Sequence, residues 1–176
     1  MILREPIVGW RQWNFMYPHF LANLGNDTIY VPREKIEARC GQEDHSEQQA
    51  PHLPCTCGIY AYKEKPTLLR EIRSSCSGLK LVYGEINLWG KVIEHEDGYR
   101  AQFGYPKRLW CTPAIEPLAG WIGYVYGVPC EVMPSGDGEE IKVKSTIIPK
   151  YPCGERYYHV GFCPKCFVLN IKAKIH

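Results

Sequence analysis

LKLVYGEINLWGKVIEHEDGYRAQFGYP, residues 79–106, is the stretch on which the fold turns. Val82, Ile86, Leu88, Val92 and Ile93 recur along it with polar residues between them, which is the period-two pattern of a half-buried strand. Glu96-Asp97-Gly98 then makes a hairpin corner, where glycine supplies the positive φ that a tight turn needs. Gly84 and Gly90 lie inside the first arm. Glycines in a long strand mark bulges or sharp bends, the device by which a strand rounds a barrel corner. The expected architecture is therefore α+β: a small, strongly bent antiparallel β-barrel, PUA- or SH3-like in character, with two or three packed helices.

Working outward, IVGWRQWNF and DTIYVP between residues 7 and 32 read as short strands around a turn at Asn23 to Asp27. Residues 40–56 are polar and lack apolar periodicity, so they form a loop that something must hold in place. CGIYAYKE predicts a helical turn, and PTLLREIRSSC a second helix. In that helix Pro66 suits the first turn, Leu68, Leu69 and Ile72 make an apolar face, and Ser77-Gly78 stops the run. Downstream, TPAIEPLAGWIGYVYG reads as helical, with Pro113 near its start and Gly127 just past its end, and VPCEVM follows as a strand. The division expected is a core domain at 1–134 and a basic, cysteine-bearing, zinc-ribbon-like tail module at 135–176.

Composition narrows the function classes. The chain has 176 residues, 45 % hydrophobic and 23 % charged, which suits an ordinary folded protein rather than a disordered one. A net charge of +2 falls well short of the basic excess of a non-specific DNA binder. No apolar run approaches the ~20 residues that span a bilayer. Arg4 and Glu5 interrupt what would be the apolar core of a signal peptide, so the reading is cytoplasmic and without a membrane partner.

Nine cysteines is the unusual number. In a reducing compartment, clustered cysteines bind metal more often than they form disulfides. Cys40, Cys55 and Cys57 group with His52, and Cys153, Cys163 and Cys166 group with His159, whereas Cys76, Cys111 and Cys130 stand alone. Each group supplies the four ligands of a tetrahedral zinc site, with Cys130 an alternative fourth ligand for the tail. Zinc would staple a tail with few large apolar residues and would order the 41–54 loop. The alternatives are buried thiols without metal, a reversible disulfide in CPKC, and a nucleophilic Cys57 with His52 or His95 as its base. A zinc deaminase is excluded, because HSE at 45–47 stands too close to Pro54-Cys55 for the two halves to lie on separate helices, and Cys55 opens a Cys-x-Cys rather than the Cys-x-x-Cys that pattern needs.

The block GEINLWGKVIEHEDGYRAQFGYPKRL, with ARC…H…P…CTCGIYAY before it and YGVP after it, resembles a block found in a family of small uncharacterised bacterial and phage proteins. The resemblance covers residues 8–130 and implies no particular activity.

The aromatic residues of the predicted strands make either a barrel core or the wall of a pocket that stacks on a planar ring. The second reading assigns ligand binding to Trp10, Trp13, Trp89, Glu94, Tyr99, Arg100 and Tyr105, with Glu94 accepting from ring N–H groups and Arg100 pairing with a phosphate or carboxylate. Tyr99 and Arg100 are adjacent on one strand, so one of them must point inward, and an inward arginine needs a partner. The function expected is a zinc-stabilised module that recognises a nucleotide or a base in nucleic acid. The alternatives are a small zinc- or cysteine-dependent enzyme, or an adaptor that docks on a protein partner through its tail. The module is preferred to an enzyme because the sequence lacks a glycine-rich phosphate loop, a His-Glu-x-x-His helix and a Gly-x-Ser-x-Gly elbow.

Overall fold

The computed structural model describes residues 5–16, 20–23, 29–40, 50–53, 55–74 and 81–134. These form eight strands: β1 (Ile7–Met16), β2 (Phe20–Ala22), β3 (Ile29–Tyr30), β4 (Ile36–Glu37), β5 (Ile59–Tyr62), β6 (Leu81–Glu94), β7 (Gly98–Cys111) and β8 (Cys130–Val132). Helix α1 spans Lys65–Ser74, and a 3-10 segment at Pro113–Leu118 leads into α2, Ala119–Tyr126.

The quoted stretch is the β6–β7 hairpin, the backbone of the molecule, with its corner closed by the N–H of His95 on the carbonyl of Gly98 at 2.8 Å. Its register slips between Glu85 and Ile86 and again between Trp89 and Val92, so two bulges bend it. The second falls at Gly90, whereas the first lies one residue beyond Gly84. β6 also pairs along β1, from Ile7 with Leu88 to Asn14 with Leu81.

Alternation along β6 creates two cores. Val82, Ile86 and Leu88 join Trp13, Phe15, Leu109, Ile115, Ile122 and Tyr126 on one face. Leu81 and Tyr83 join Trp110, Met133 and the Leu68, Leu69 and Ile72 stripe of α1 on the other. Helix α1 thus covers one side of the sheet with the face its sequence predicts. On that side Trp110 lies between Trp10 and Tyr83, with ring centroids at 5.5 and 5.6 Å.

Two expectations need correction. The protein is mixed α+β and mostly strand, but the sheet is not a clean barrel. The circuit β1–β6–β7–β5 returns to β1 through a single residue pair, Trp10 with Tyr62, because β5 is only four residues long. Beyond that pair the same edge of the molecule is taken by β2 at Asn14–Met16, and β8 joins β7 in parallel. Secondly, CGIYAYKE contributes strand β5 rather than a helical turn: Ile59 and Ala61 are buried while Tyr60 is exposed, and the segment pairs with Gly98–Ala101. The zinc-ribbon-like tail at 135–176 lies outside the described residues.

One buried hydroxyl ties α2 to the strands. Tyr126 Oη accepts from the N–H of Leu21 and donates to the carbonyl of Tyr30, each at 2.7 Å. Burial pushes its pKa well up, so it remains a donor at any ordinary pH. Tyr126→Phe leaves both backbone groups without that partner. Its expected cost is about 1–3 kcal/mol, read as a lower urea midpoint at unchanged slope.

Candidate metal centre

The site is built where the 50–58 loop folds over the outer face of β5 and β7. Register pairs Ala61 with Tyr99 and Tyr60 with Arg100, so Tyr99 shares the core-facing side with Ala61. Arg100 stands on the opposite side beside the exposed Tyr60, and yet it is only 4 % exposed. The loop buries it. Arg100 Nη1 donates to the carbonyls of Cys55, Cys57 (3.2 Å) and His52 (3.4 Å), and Nε donates to His95 Nε2 at 2.9 Å. Of the two neighbours it is therefore Tyr99 that faces the core, and Arg100, buried from the other side by the loop, finds its partners in the carbonyls of the cysteine loop.

With those carbonyls drawn to Arg100, the loop presents sulfur and N–H groups on its other side. The ligand atoms of Cys40, Cys55 and Cys57 all lie within 4.8 Å of one another, and this group could hold a metal ion. Cys40 Sγ stands 3.5 Å from Cys55 Sγ, and the His52 N–H donates to Cys57 Sγ at 3.3 Å. Cys40 and Cys55 are buried and Cys57 is half-buried. Burial acts to raise the Cys55 thiol, but hydrogen bonds from the backbone of Cys57 and Thr56 and from the Cys40 and Cys57 thiols outweigh it, and the pKa falls. A thiol that ionises more readily is the better metal ligand. Gly58 makes the turn possible: its φ is +131°, and a Cβ there would lie 3.0 Å from Pro51 and 3.1 Å from Arg100.

His52, expected as the fourth ligand, is not part of the sulfur group; its backbone serves the site instead. Cys153, His159, Cys163 and Cys166 lie outside the described residues. Cys130, the alternative tail ligand, sits on β8 beside Cys111. A hydrogen bond between their thiols lowers Cys111 and, with burial, raises Cys130 well above the ordinary value.

The seven residues assigned to one aromatic pocket are spread over several places. Trp10, Tyr99 and Arg100 line an open cleft of about 990 Å³ beside Cys55 and Cys57, at the seam where β5 parts from β1. Trp89 and Tyr105 line a second cleft of about 670 Å³ with Arg33, Lys35 and Asn87. Trp13 is fully buried and packs edge-to-face on Tyr30 at 5.8 Å. Glu94 forms an ion pair with Lys63 at 2.7 Å, its side chain 68 % exposed, which contributes little to stability.

Sequence reasoning missed Arg11, Arg39, Tyr60 and Tyr62 in the first cleft. Reading CGIYAYKE as a strand would have placed the two tyrosines on its outer face. Arg11 bridges the seam, donating from Nη1 to the Tyr60 carbonyl and from Nη2 to Asn23 Oδ1, a role set by tertiary position alone.

No described helix is long and apolar enough to cross a membrane. Compared with known family models, curated proteins and solved structures, the chain matches none.

Proposed function

We propose that the protein is a zinc-braced binding module that recognises a nucleotide, or a base within nucleic acid, through the cleft beside the thiol centre. The observation that carries this reading is the convergence of three sulfurs, from both ends of a polar loop, to within 4.8 Å. Thiolates select zinc, copper(I) or iron–sulfur clusters, and the clusters ordinarily take four cysteines. Tetrahedral zinc with Zn–S of ~2.3 Å wants sulfurs about 3.8 Å apart. The 3.5 Å Cys40–Cys55 separation and the 4.8 Å span of the group bracket that spacing.

The metal's role is structural. It fixes the loop that forms one wall of the cleft, while Trp10, Tyr60 and Tyr62 line the cleft with aromatic surface for a planar ligand. Arg39 and His95 bring charge and hydrogen bonding to the same space. Arg100 supports the wall and does not grip the ligand.

Protein purified under reducing, chelator-free conditions is expected to carry one equivalent of zinc at Cys40, Cys55 and Cys57, and a second if the tail cluster also binds. Less than half an equivalent by elemental analysis ends the proposal. Cys55 and Cys57 should resist iodoacetamide in the native protein and react once the metal is chelated, because a zinc-bound thiolate is a poor and shielded nucleophile. Rapid native alkylation of Cys57 would instead mark a free nucleophile. For the ligand, mass spectrometry of the extract from denatured protein should find a base-containing compound, depleted in Tyr60→Ala.

The count of sulfurs favours a second reading. Three are found among the described residues, one fewer than a closed site needs, and a metal with three protein ligands keeps a position for water or substrate, as in zinc enzymes. Cobalt substitution separates the two. A visible spectrum that shifts on adding azide denotes an exchangeable position, and an indifferent one denotes a structural site.

A further inference from the structure

We propose that the outer face of the β6–β7 hairpin around Trp89 is a stacking platform for single-stranded nucleic acid. The proposal depends neither on the metal nor on the thiol-side cleft.

Register builds the platform. Asn87 pairs with Tyr105 and Trp89 with Phe103, and residues two apart on a strand share a face. Asn87, Trp89 and Phe103 therefore share a patch, and Tyr105, which packs partly against the main core, lines the same cleft as Asn87 and Trp89. All four are half-buried, so the rings are seated in the sheet yet still reach solvent. Trp89 and Phe103 lie 6.1 Å apart with their planes tilted by 31°. Trp89, Asn87 and Tyr105 line the 670 Å³ cleft, where two ring faces flank a side-chain amide that can both donate and accept.

The segment before β4 lays two cations along this patch. Lys35 Nζ stands 3.9 Å from the centre of the Phe103 ring. Arg33 adopts φ of +64°, a left-handed conformation unusual for a residue with a side chain. It is held there by two bonds: its N–H donates to Tyr105 Oη at 2.7 Å and its Nη2 donates to the Tyr124 carbonyl at 2.9 Å, while Tyr105 Oη is itself fixed by donating to the Tyr126 carbonyl at 2.8 Å. A backbone held out of its ordinary range, carrying a cation to the mouth of an aromatic cleft, is where function is to be sought. Glu5 also lines the cleft, so its charged residues sum to one positive charge.

Flat rings flanked by cations match an unpaired base joined to its phosphates. A duplex covers its base faces and cannot use the rings. The platform thus predicts a preference for single strands with little sequence dependence, since every base has a face to stack.

The test is fluorescence anisotropy of labelled oligo(dT), and of the duplex of the same length, with the full zinc-loaded chain at low salt. The single strand should bind more tightly and quench tryptophan emission. Trp89→Ala should weaken binding by about 5- to 100-fold, the range for losing one stacked base. Lys35→Glu, an exposed change, should weaken it too and flatten the salt dependence, and it keeps the test available if Trp89→Ala does not fold. Tyr60→Ala, in the other cleft, should leave it unchanged. No binding at low salt, equal binding of the duplex, or loss in Tyr60→Ala with retention in Lys35→Glu would each overturn the platform. The last outcome would leave the thiol-side reading standing.

Discussion

Arg100→Met is expected to destabilise the protein by about 2–5 kcal/mol and to weaken metal binding at least tenfold, the first by urea unfolding and the second by competition with a chromophoric chelator. The guanidinium holds the carbonyls of His52, Cys55 and Cys57 and the ring of His95 at once. Methionine fills much of the volume but satisfies none of them. Each buried acceptor left unpaired costs about 1–3 kcal/mol, and the loop will limit the sum by moving outward to water. That movement is what separates the sulfurs. Arg100→Lys should fall between, because a single ammonium cannot reach three carbonyls and an imidazole together. A variant that loses the metal with full stability would mean that the loop is not tied to the sheet through this residue. A variant that loses stability and keeps its metal affinity would mean that the sulfurs organise themselves.

Gly84→Ala should be the most damaging methyl addition in the described chain, at about 3 kcal/mol, or roughly 6–12 °C in melting temperature. A Cβ at Gly84 would stand 2.0 Å from the carbonyl oxygen of Arg108 and 3.0 Å from the Cα of Leu109. Both are backbone atoms of the paired strand, so no side chain can rotate away. Relief requires β6 and β7 to part where Val82 and Leu109 face one core and Tyr83 and Trp110 the other. Gly120 is the control. It lies in α2 with nothing within 4 Å of where a Cβ would stand, and alanine there should gain up to about 1 kcal/mol from helix propensity. Scanning calorimetry of the two variants reads both signs in one experiment.

The pattern of residues 79–106 was enough to find the hairpin and its bent course, because alternation is a local property of a strand; Gly90 marks a bulge with φ of +77°, but Gly98 turns the corner without the positive φ expected of it. The α1 stripe of Leu68, Leu69 and Ile72 was legible for the same reason, since a helix of this length shows its buried face in its own spacing. β5 was not. Four residues, IYAY, are too few for a period to declare itself, and they are extended because β7 offers an edge to pair with. The failure of the sheet to close cleanly follows from that same short strand.

Cysteine spacing alone singled out Cys40, Cys55 and Cys57, because soft ligands at the two ends of a polar loop have few other uses. Spacing also nominated His52, and only the folded loop shows its backbone N–H, rather than its ring, serving the sulfurs. The fate of Arg100 was the least legible of all. Its strand position gives it an outward face, where an arginine ordinarily stays in water. It is buried because a loop more than forty residues earlier folds across it and turns three carbonyls toward its guanidinium, one of which, that of His52, also accepts from the Cys55 N–H. Sequence determined which residues have the chemistry to bind a metal and which face of each long strand is apolar. Tertiary structure decided which carbonyls meet a buried cation, and so which arginine ties the thiol loop to the sheet.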